Sequence, residues 1–150
     1  MQAVLVQVCE TGVLIKGPPG SGKSMIALGL MDRGHKLVAD DLVQVSKESD
    51  GSLTGSAVSS HAEMEIRGLG IFSADTLFAD CVVASTSVDL VIYLDAYDPF
   101  KDAGRLVPDT GIETILGAEL PHVRLPITNQ ASVPMLIELL ARRFKENRGL

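Results

Sequence analysis

Residues Gly17-Pro18-Pro19-Gly20-Ser21-Gly22-Lys23-Ser24 fit the pattern G-x-x-x-x-G-K-[ST], and they lie between the apolar run Val13-Leu14-Ile15 and a helix-like stretch from Met25 to Met31. A strand that turns through glycines into a helix is the setting of a phosphate-binding loop. The glycines let backbone N–H groups converge on a phosphate, Lys23 reaches the outer phosphates, and the Ser24 hydroxyl suits Mg²⁺. Gly17, Pro18, Pro19, Gly20, Ser21, Gly22, Lys23 and Ser24 are therefore the expected nucleotide-phosphate ligands. The bland alternative is a glycine-rich turn that only joins strand to helix. Either way the loop demands a strand before it and a packed helix after it, which places the chain in the α/β class.

The 150 residues, 46% of them hydrophobic, suit one domain over 1–150 that buries about two-thirds of its unfolded surface. A formal charge of −6 supplies no basic stripe for nucleic acid, so none is expected as a partner. Cys9 and Cys81 form no C-x-x-C pair and read as buried thiols in a reducing compartment. Ala3 to Val8 is interrupted by Gln7 and stopped by Glu10, too short for a signal segment, and no later run approaches a membrane span. The expectation is a soluble cytoplasmic protein without a membrane partner.

Ala3–Val8 and Val13–Lys16 read as two strands joined through Cys9–Gly12. A helix over about 23–33 is apolar almost all round, which predicts burial, and Gly34 ends it. Lys36–Ala39 is extended and runs into Asp40-Asp41; Leu42–Val45 and Leu53-Thr54 flank a turn at Ser49–Ser52. Gly68 and Gly70 imply tight backbone geometry, and Val88–Leu94 a buried strand. Pro99, Gly104, Pro108 and Gly111 mark a long mobile connection, and Thr114–Ile127 short extended pieces broken by Gly117, Pro121 and Pro126. A final helix over about 132–147 is expected to dock Met135, Leu136, Leu139, Leu140 and Phe144 on the sheet.

Phosphoryl transfer needs acidic groups for a metal and for the attacking proton, and cations for the transferring group. Asp40 and Asp41 end an apolar strand where carboxylates would reach the phosphates; one serves Mg²⁺ and the other accepts a hydroxyl proton, the order being open. Glu65 and Arg67 share a side of an extended segment and suit a second metal contact and a phosphate clamp, against the plainer reading of an exposed ion pair. His35, His61 and His122 lack ligand spacing and read as surface or turn residues.

The phosphate loop, then Arg33-Gly34-His35-Lys36-Leu37-Val38-Ala39-Asp40-Asp41, then Met64-Glu65-Ile66-Arg67-Gly68-Leu69-Gly70-Ile71, then Gly104-Arg105-Leu106, in that order, resembles the C-terminal catalytic domain of HPr kinase/phosphorylase over nearly the whole chain. The resemblance implies a phosphoenolpyruvate-carboxykinase-like core of mixed sheet with a phosphate-loop helix and a C-terminal helix. It implies a protein serine kinase that moves a phosphoryl group from ATP, with Mg²⁺, to a serine of the phosphocarrier HPr, and a homo-oligomer, a hexamer in the family. Family members usually carry an extra N-terminal domain, so the sequence resembles the short form found in some proteobacteria. Carried over by position, Lys23 is the loop lysine, Ser24 and Glu65 are metal ligands, Arg105 is a catalytic arginine, and Asp40-Asp41 hold the acid/base.

The sequence also departs from the family pattern. Gln2 stands where a histidine is usual, Pro19 where a serine is common and Met25 where an acidic residue follows the loop. The family's P-V-R-P-G-R segment, linked to dephosphorylation, reads Leu125-Pro126-Ile127-Thr128-Asn129-Gln130. Reverse phosphorolysis is accordingly expected to be weak unless Arg124 or Arg105 substitutes for the missing arginines. Two rival readings are a nucleotide-binding regulatory module without chemistry and a small-molecule kinase or carboxykinase-like enzyme on the same scaffold.

Overall fold

The apolar segments before the glycine-rich loop pair as an antiparallel hairpin, β1 (Val4–Val8) with β2 (Thr11–Lys16), in register from Val8↔Thr11 to Val4↔Ile15. Cys9 and Glu10 alone make the turn, both at positive φ (51° and 65°), as a two-residue hairpin whose twist matches its strands requires. Gly12 is therefore inside β2, opposite Gln7, rather than in the turn. The computed structural model describes residues 1–59 and 63–147, so His61 lies outside the described residues.

The chain continues through α1 (Lys23–Asp32), β3 (Lys36–Ala39), the hairpin β4 (Val43–Lys47) and β5 (Leu53–Ala57), and a second hairpin, β6 (Glu63–Ile66) with β7 (Gly70–Ser73). A short α2 (Ala74–Leu77), β8 (Ser85–Ser87), β9 (Leu90–Ala96), α3 (Pro99–Asp102), β10 (Asp109–Ile115), β11 (Ala118–Ile127) and α4 (Val133–Asn147) follow. Six strands form one mixed sheet in the order β10-β11-β9-β2-β1-β3, with β2, β9 and β11 mutually parallel neighbours and the remaining pairings antiparallel. A smaller sheet, β4-β5-β8, packs beneath it. Among the described residues no helix is long and apolar enough to cross a membrane.

Period-two alternation explains why the central strands look uniformly apolar. Val4, Val6 and Val8, with Val13, Ile15, Leu90, Ile92 and Leu94, face α1 and α4. Leu5, Leu14 and Val91 face the other way, against Val43, Leu53 and Val88 of the smaller sheet. Both faces are covered, so both registers of side chain are hydrophobic. Gly55 sits where the two sheets come closest: a Cβ there would overlap Leu5 Cδ2.

Several expectations change in three dimensions. The connection after β9 is not structureless: it holds α3, and Gly111 already belongs to β10. β11 is one continuous ten-residue strand through Pro121 and Pro126. Its pairing with β10 covers 118–124 and its pairing with β9 covers 122–127, so each proline lies where just one neighbour flanks the strand and the missing N–H costs no ladder bond. α1 is buried along Ile26, Ala27, Leu30 and Met31, whereas Met25 is half exposed. α4 buries Val133, Pro134, Ile137, Glu138 and Ala141 and packs Leu140 against the core as expected, but leaves Met135, Leu136 and Leu139 of the expected face exposed. Small residues decide this. A Cβ at Gly29 of α1 would overlap Pro134 Cγ, so the helices approach too closely for a large side chain between them. Cys9 and Cys81 are free and only partly buried against this core.

A carboxylate joins the two helices. Glu138 on α4 accepts from Arg33 Nε at the end of α1 and from Arg142 Nη2 at 2.9 Å, and His35 Nε2 lies 3.6 Å from it with its side chain only 11% exposed. His35, expected as a surface or turn residue, stands in the connection between α1 and β3 with its side chain mostly buried. Arg33 chiefly, with Arg142 and His35, holds the Glu138 carboxyl at about 2, down from an ordinary 4.5. Because the folded value is the lower one, the stabilisation is complete above pH 4.5 and is lost as pH falls toward 2. Glu138→Gln is expected to lower the Tm at pH 7, with the gap to wild type closing between pH 4.5 and 2. A gap that stays constant across that range in thermal melts would refute the assignment.

Candidate active site

Strand β2 is buried up to Ile15, and the chain leaves the sheet at Gly17, where a Cβ would press within 3.1 Å of Leu94 on β9. The loop then turns back, with Ser21 N donating to Pro18 O (3.1 Å), and enters α1 through Gly22, whose left-handed φ of 91° makes it the N-cap. Among the described residues no side chain caps the helix, and no acidic residue sits in its first turn. Its free N–H groups and positive dipole end are left for an anion. Ser21 Oγ is buried with no hydrogen-bond partner among the described residues.

Two side chains from elsewhere close over the loop. A Cβ at Gly20 would lie 3.4 Å from Arg67 Nη2, and one at Gly22 would overlap Gln130 Nε2. Gln130 Nε2 donates to Ser21 O at 3.0 Å. Lys23 Nζ is folded onto the loop itself, donating to Gly17 O (3.0 Å) and Pro18 O (3.2 Å).

Immediately after the loop, Ser24 Oγ donates to Asp40, with 2.9 and 3.1 Å to the two carboxylate oxygens. Asp40 is carried there by β3, which lies beside β1 at the sheet edge. Burial raises the Asp40 carboxyl above its ordinary 3.8; the Ser24 hydroxyl bond and Lys23 oppose this, and Asp41 adds to it. Asp41 is different: it is exposed, at a positive φ of 77°, with its carbonyl held by Ala3 N (2.9 Å) and its carboxylate accepting from Gln2 Nε2 (3.4 Å). A left-handed non-glycine residue held from the neighbouring strand is a local strain of the kind concentrated at functional sites.

Ser24, Asp40, Asp41, Glu63 and Glu65 line one cleft of about 1020 Å³, whose far wall is apolar, with Leu42, Val58, Ile71 and Val83. The structure thus brings Ser24, Asp40, Asp41 and Glu65 together and sets Lys23 and Arg67 at the loop above them. Glu65 and Arg67 part company, since Glu65 ends in β6 and Arg67 in the turn after it. Among the described residues no three His, Cys, Asp or Glu side chains gather as a ready-made metal cage. Arg105 does not line this cleft. It lies in a second depression of about 630 Å³, with Thr128, Arg124 and the exposed face of α4.

The family model described as HPr Serine kinase C-terminal domain matches residues 1–149. The chain belongs to that family. It is 41% identical over 144 residues to the HPr kinase/phosphorylase of Geobacter sulfurreducens, covering 95% of this chain and 45% of that protein. With the HPr kinase/phosphorylase of Geobacillus thermodenitrificans it shares 41% over 151 residues, 99% of this chain and 48% of the relative. The chain therefore spans about half the length of these curated relatives. The solved structure of the Hpr(Ser) kinase/phosphatase from Coxiella burnetii is similar at a TM-score of 0.87 and 36% identity, covering 99% of this chain and 97% of that one. The mixed α/β fold with its mixed sheet is thus that of an HPr serine kinase structure.

Within this family domain, sequence reasoning missed Gln130 as a neighbour of the loop and Gln2 as the partner of Asp41. Both contacts join segments far apart in the chain, which local patterns do not report. It also left Arg124 free to swing toward the phosphate site. Arg124 is instead clamped by Asp95, Asp102 and Asp109. Ser24→Ala removes the hydroxyl that lowers Asp40, so the Asp40 carboxyl, followed by ¹³C NMR, is expected to titrate higher than in wild type. An unchanged midpoint would show that the Ser24 contact is electrostatically silent.

Proposed function

We propose that this domain is a Mg²⁺- and ATP-dependent protein kinase that phosphorylates a serine of an HPr-type phosphocarrier. The observation that carries the reading is the Ser24–Asp40 pair at the start of α1, with exposed Asp41 beside it in an open cleft. Family membership and the names of the relatives support the substrate class. The phosphoenolpyruvate-carboxykinase-like assignment of the core and the reading of 1–150 as one kinase domain belong to the same proposal.

The donor set fits a hard cation. Ser24 and Asp40 already share a hydrogen bond, and a cation that keeps its waters and takes one or two carboxylates plus substrate phosphates needs no larger cage. Glu65, in the same cleft, is the further candidate ligand. Bound there, Mg²⁺ would neutralise the phosphate oxygens and orient them for in-line transfer.

The chain's own residues divide the remaining work. The 17–24 loop wraps the polyphosphate with the backbone N–H groups of its non-proline residues, and the Lys23 ammonium exchanges two loop carbonyls for phosphate oxygens. Arg67, which lies over Gly20, would meet the outer phosphate. Asp40 is engaged by Ser24, so Asp41 takes the acceptor's hydroxyl proton as the serine oxygen bonds to the γ-phosphorus and the bond to ADP breaks. Arg105 lies outside the cleft and would act on the transferring group from the neighbouring depression, whose Thr128 stands two residues before Gln130 at the loop. Gln2 orients Asp41 but cannot titrate in its place.

Labelled ATP, Mg²⁺ and HPr test this directly. Label is expected on HPr serine, and Lys23→Ala should abolish most of the transfer with unchanged circular dichroism. Asp41→Asn should cut turnover by roughly two or more powers of ten at any Mg²⁺ concentration, whereas Asp40→Asn should recover in part as Mg²⁺ is raised. Full activity in either aspartate variant would sink its assignment. The neutral amide on Asp41 favours one rival, a weakly active nucleotide-binding module, for which ATP would bind tightly without transfer.

Phosphorolysis is the second arm. Thr128, Asn129 and Gln130 offer only neutral hydrogen bonds to inorganic phosphate, and Arg124 is committed elsewhere. Phosphoserine-HPr given excess phosphate is expected to release little pyrophosphate. A rate comparable to the forward reaction would overturn this.

A further inference from the structure

Residues 97–108, which carry Arg105, join β9 to β10 with almost nothing buried. Phe100 and Leu106 are fully exposed and Val107 mostly so, and Asp102 is the one buried side chain of α3. Hydrophobic burial therefore cannot order this connection. What holds it is a single guanidinium. Arg124, on β11 between β9 and β10, donates Nε to Asp95 at 2.7 Å and Nη2 to Ala96 O at 3.2 Å, both at the end of β9. Nη1 and Nη2 donate to the two oxygens of Asp102 on α3, at 2.7 and 3.2 Å, and Nη1 reaches Asp109 at the start of β10 at 3.5 Å.

Both ends and the middle of the connection thus converge on one side chain that is 13% exposed, and the Asp102 side chain it grips is 1% exposed. Asp102 passes the restraint on. Its carboxylate accepts from Asp98 N (2.7 Å), closing α3, while its carbonyl accepts from Arg105 N (3.2 Å), and Arg105 Nε donates to Lys101 O (3.3 Å). The chain from Arg124 to Asp102 to the Arg105 backbone is continuous.

We infer that Arg124 is the positioning residue for Arg105: its clamp on Asp95, Asp102 and Asp109 fixes the 97–108 connection so that the Arg105 guanidinium is held for phosphoryl transfer. This rests on the reading of Arg105 as a group acting on the transferring phosphoryl. Lysine cannot replace Arg124, because one ammonium on a flexible stem cannot make the bidentate grip on Asp102 and reach the β9 end together. The neighbouring carboxylates would then repel one another, with the buried Asp102 poorly compensated.

A double-variant cycle with hydrogen exchange tests the inference on the whole chain. Arg124→Lys is expected to lower kcat for HPr phosphorylation about tenfold, with the KM for ATP unchanged, because the loop at 17–24 is untouched. Arg105→Ala should cost more, and the double variant should lose no more than Arg105→Ala alone, since the first residue acts through the second. Amide exchange over 98–108 should accelerate at least roughly tenfold in Arg124→Lys while exchange over 17–24 stays at the wild-type rate.

Additive losses in the double variant, or unchanged exchange over 98–108, overturn the inference. If Arg105→Ala turns over like wild type, it is the catalytic reading of Arg105 that fails, and exchange over 98–108 then decides the anchoring by itself. Should Arg124→Lys fail to fold, Asp102→Asn weakens the same grip from the other side and is read by the same cycle and the same exchange.

Discussion

The parallel pairing of β2 with β9, from Val13↔Leu90 to Lys16↔Tyr93, is the contact on which the site depends. It buries β2 on both faces and both edges, so the chain can leave the sheet only at the strand's end, and it leaves through glycines because Leu94 stands against Gly17. The direction of α1, the aim of its first N–H groups and the placing of Ser24 all follow from that exit. β3, two strands away across β1, delivers Asp40 to meet Ser24. Two short stretches of chain thus meet from sheet order alone.

Charge is distributed in opposite ways on the two sides of the molecule. In the cleft, Asp40 is raised by burial and by Asp41, so its negative charge is held at a cost that a cation would relieve. Around Arg124, Asp95 and Asp102 are both lowered, each chiefly by its hydrogen bond to that guanidinium. The first arrangement is poised to accept a ligand. The second is satisfied internally and serves to hold backbone in place.

Much of this was legible in the residues because it depends on local chemistry. The loop, the left-handed Gly34 ending α1, the hairpin across Ser49–Ser52 and the turn at Gly68 each follow from what glycine permits or from apolar alternation, and each stands where expected. The misreadings concern what a side chain meets at a distance. Pro121 and Pro126 look like breaks until the staggered neighbours of β11 are known. The large residues of α4 look like its buried face until Gly29 and Pro134 show how closely the helices pack. Arg124 carries no local mark at all, since its three carboxylates come from three separate elements. The candidate site was legible in its residue types, and the difference between Asp40 and Asp41 was not, because the burial and Ser24 contact of the one and the exposed, left-handed, Gln2-bonded state of the other depend on distant segments.

The same β2–β9 pairing sets an order on synthesis. A nascent chain emerges from its N-terminus, and β1, the glycine-rich loop and α1 appear long before Leu90–Ala96 can complete the sheet beside them. Gln130, which fastens Ser21, comes later still, and α4, which covers α1, follows it. Until then the loop is a tethered segment without a fixed exit angle and α1 an apolar helix without its cover. The exit angle of the loop is therefore fixed only after Leu90–Ala96, Gln130 and α4 have all been made, more than a hundred residues after the loop itself.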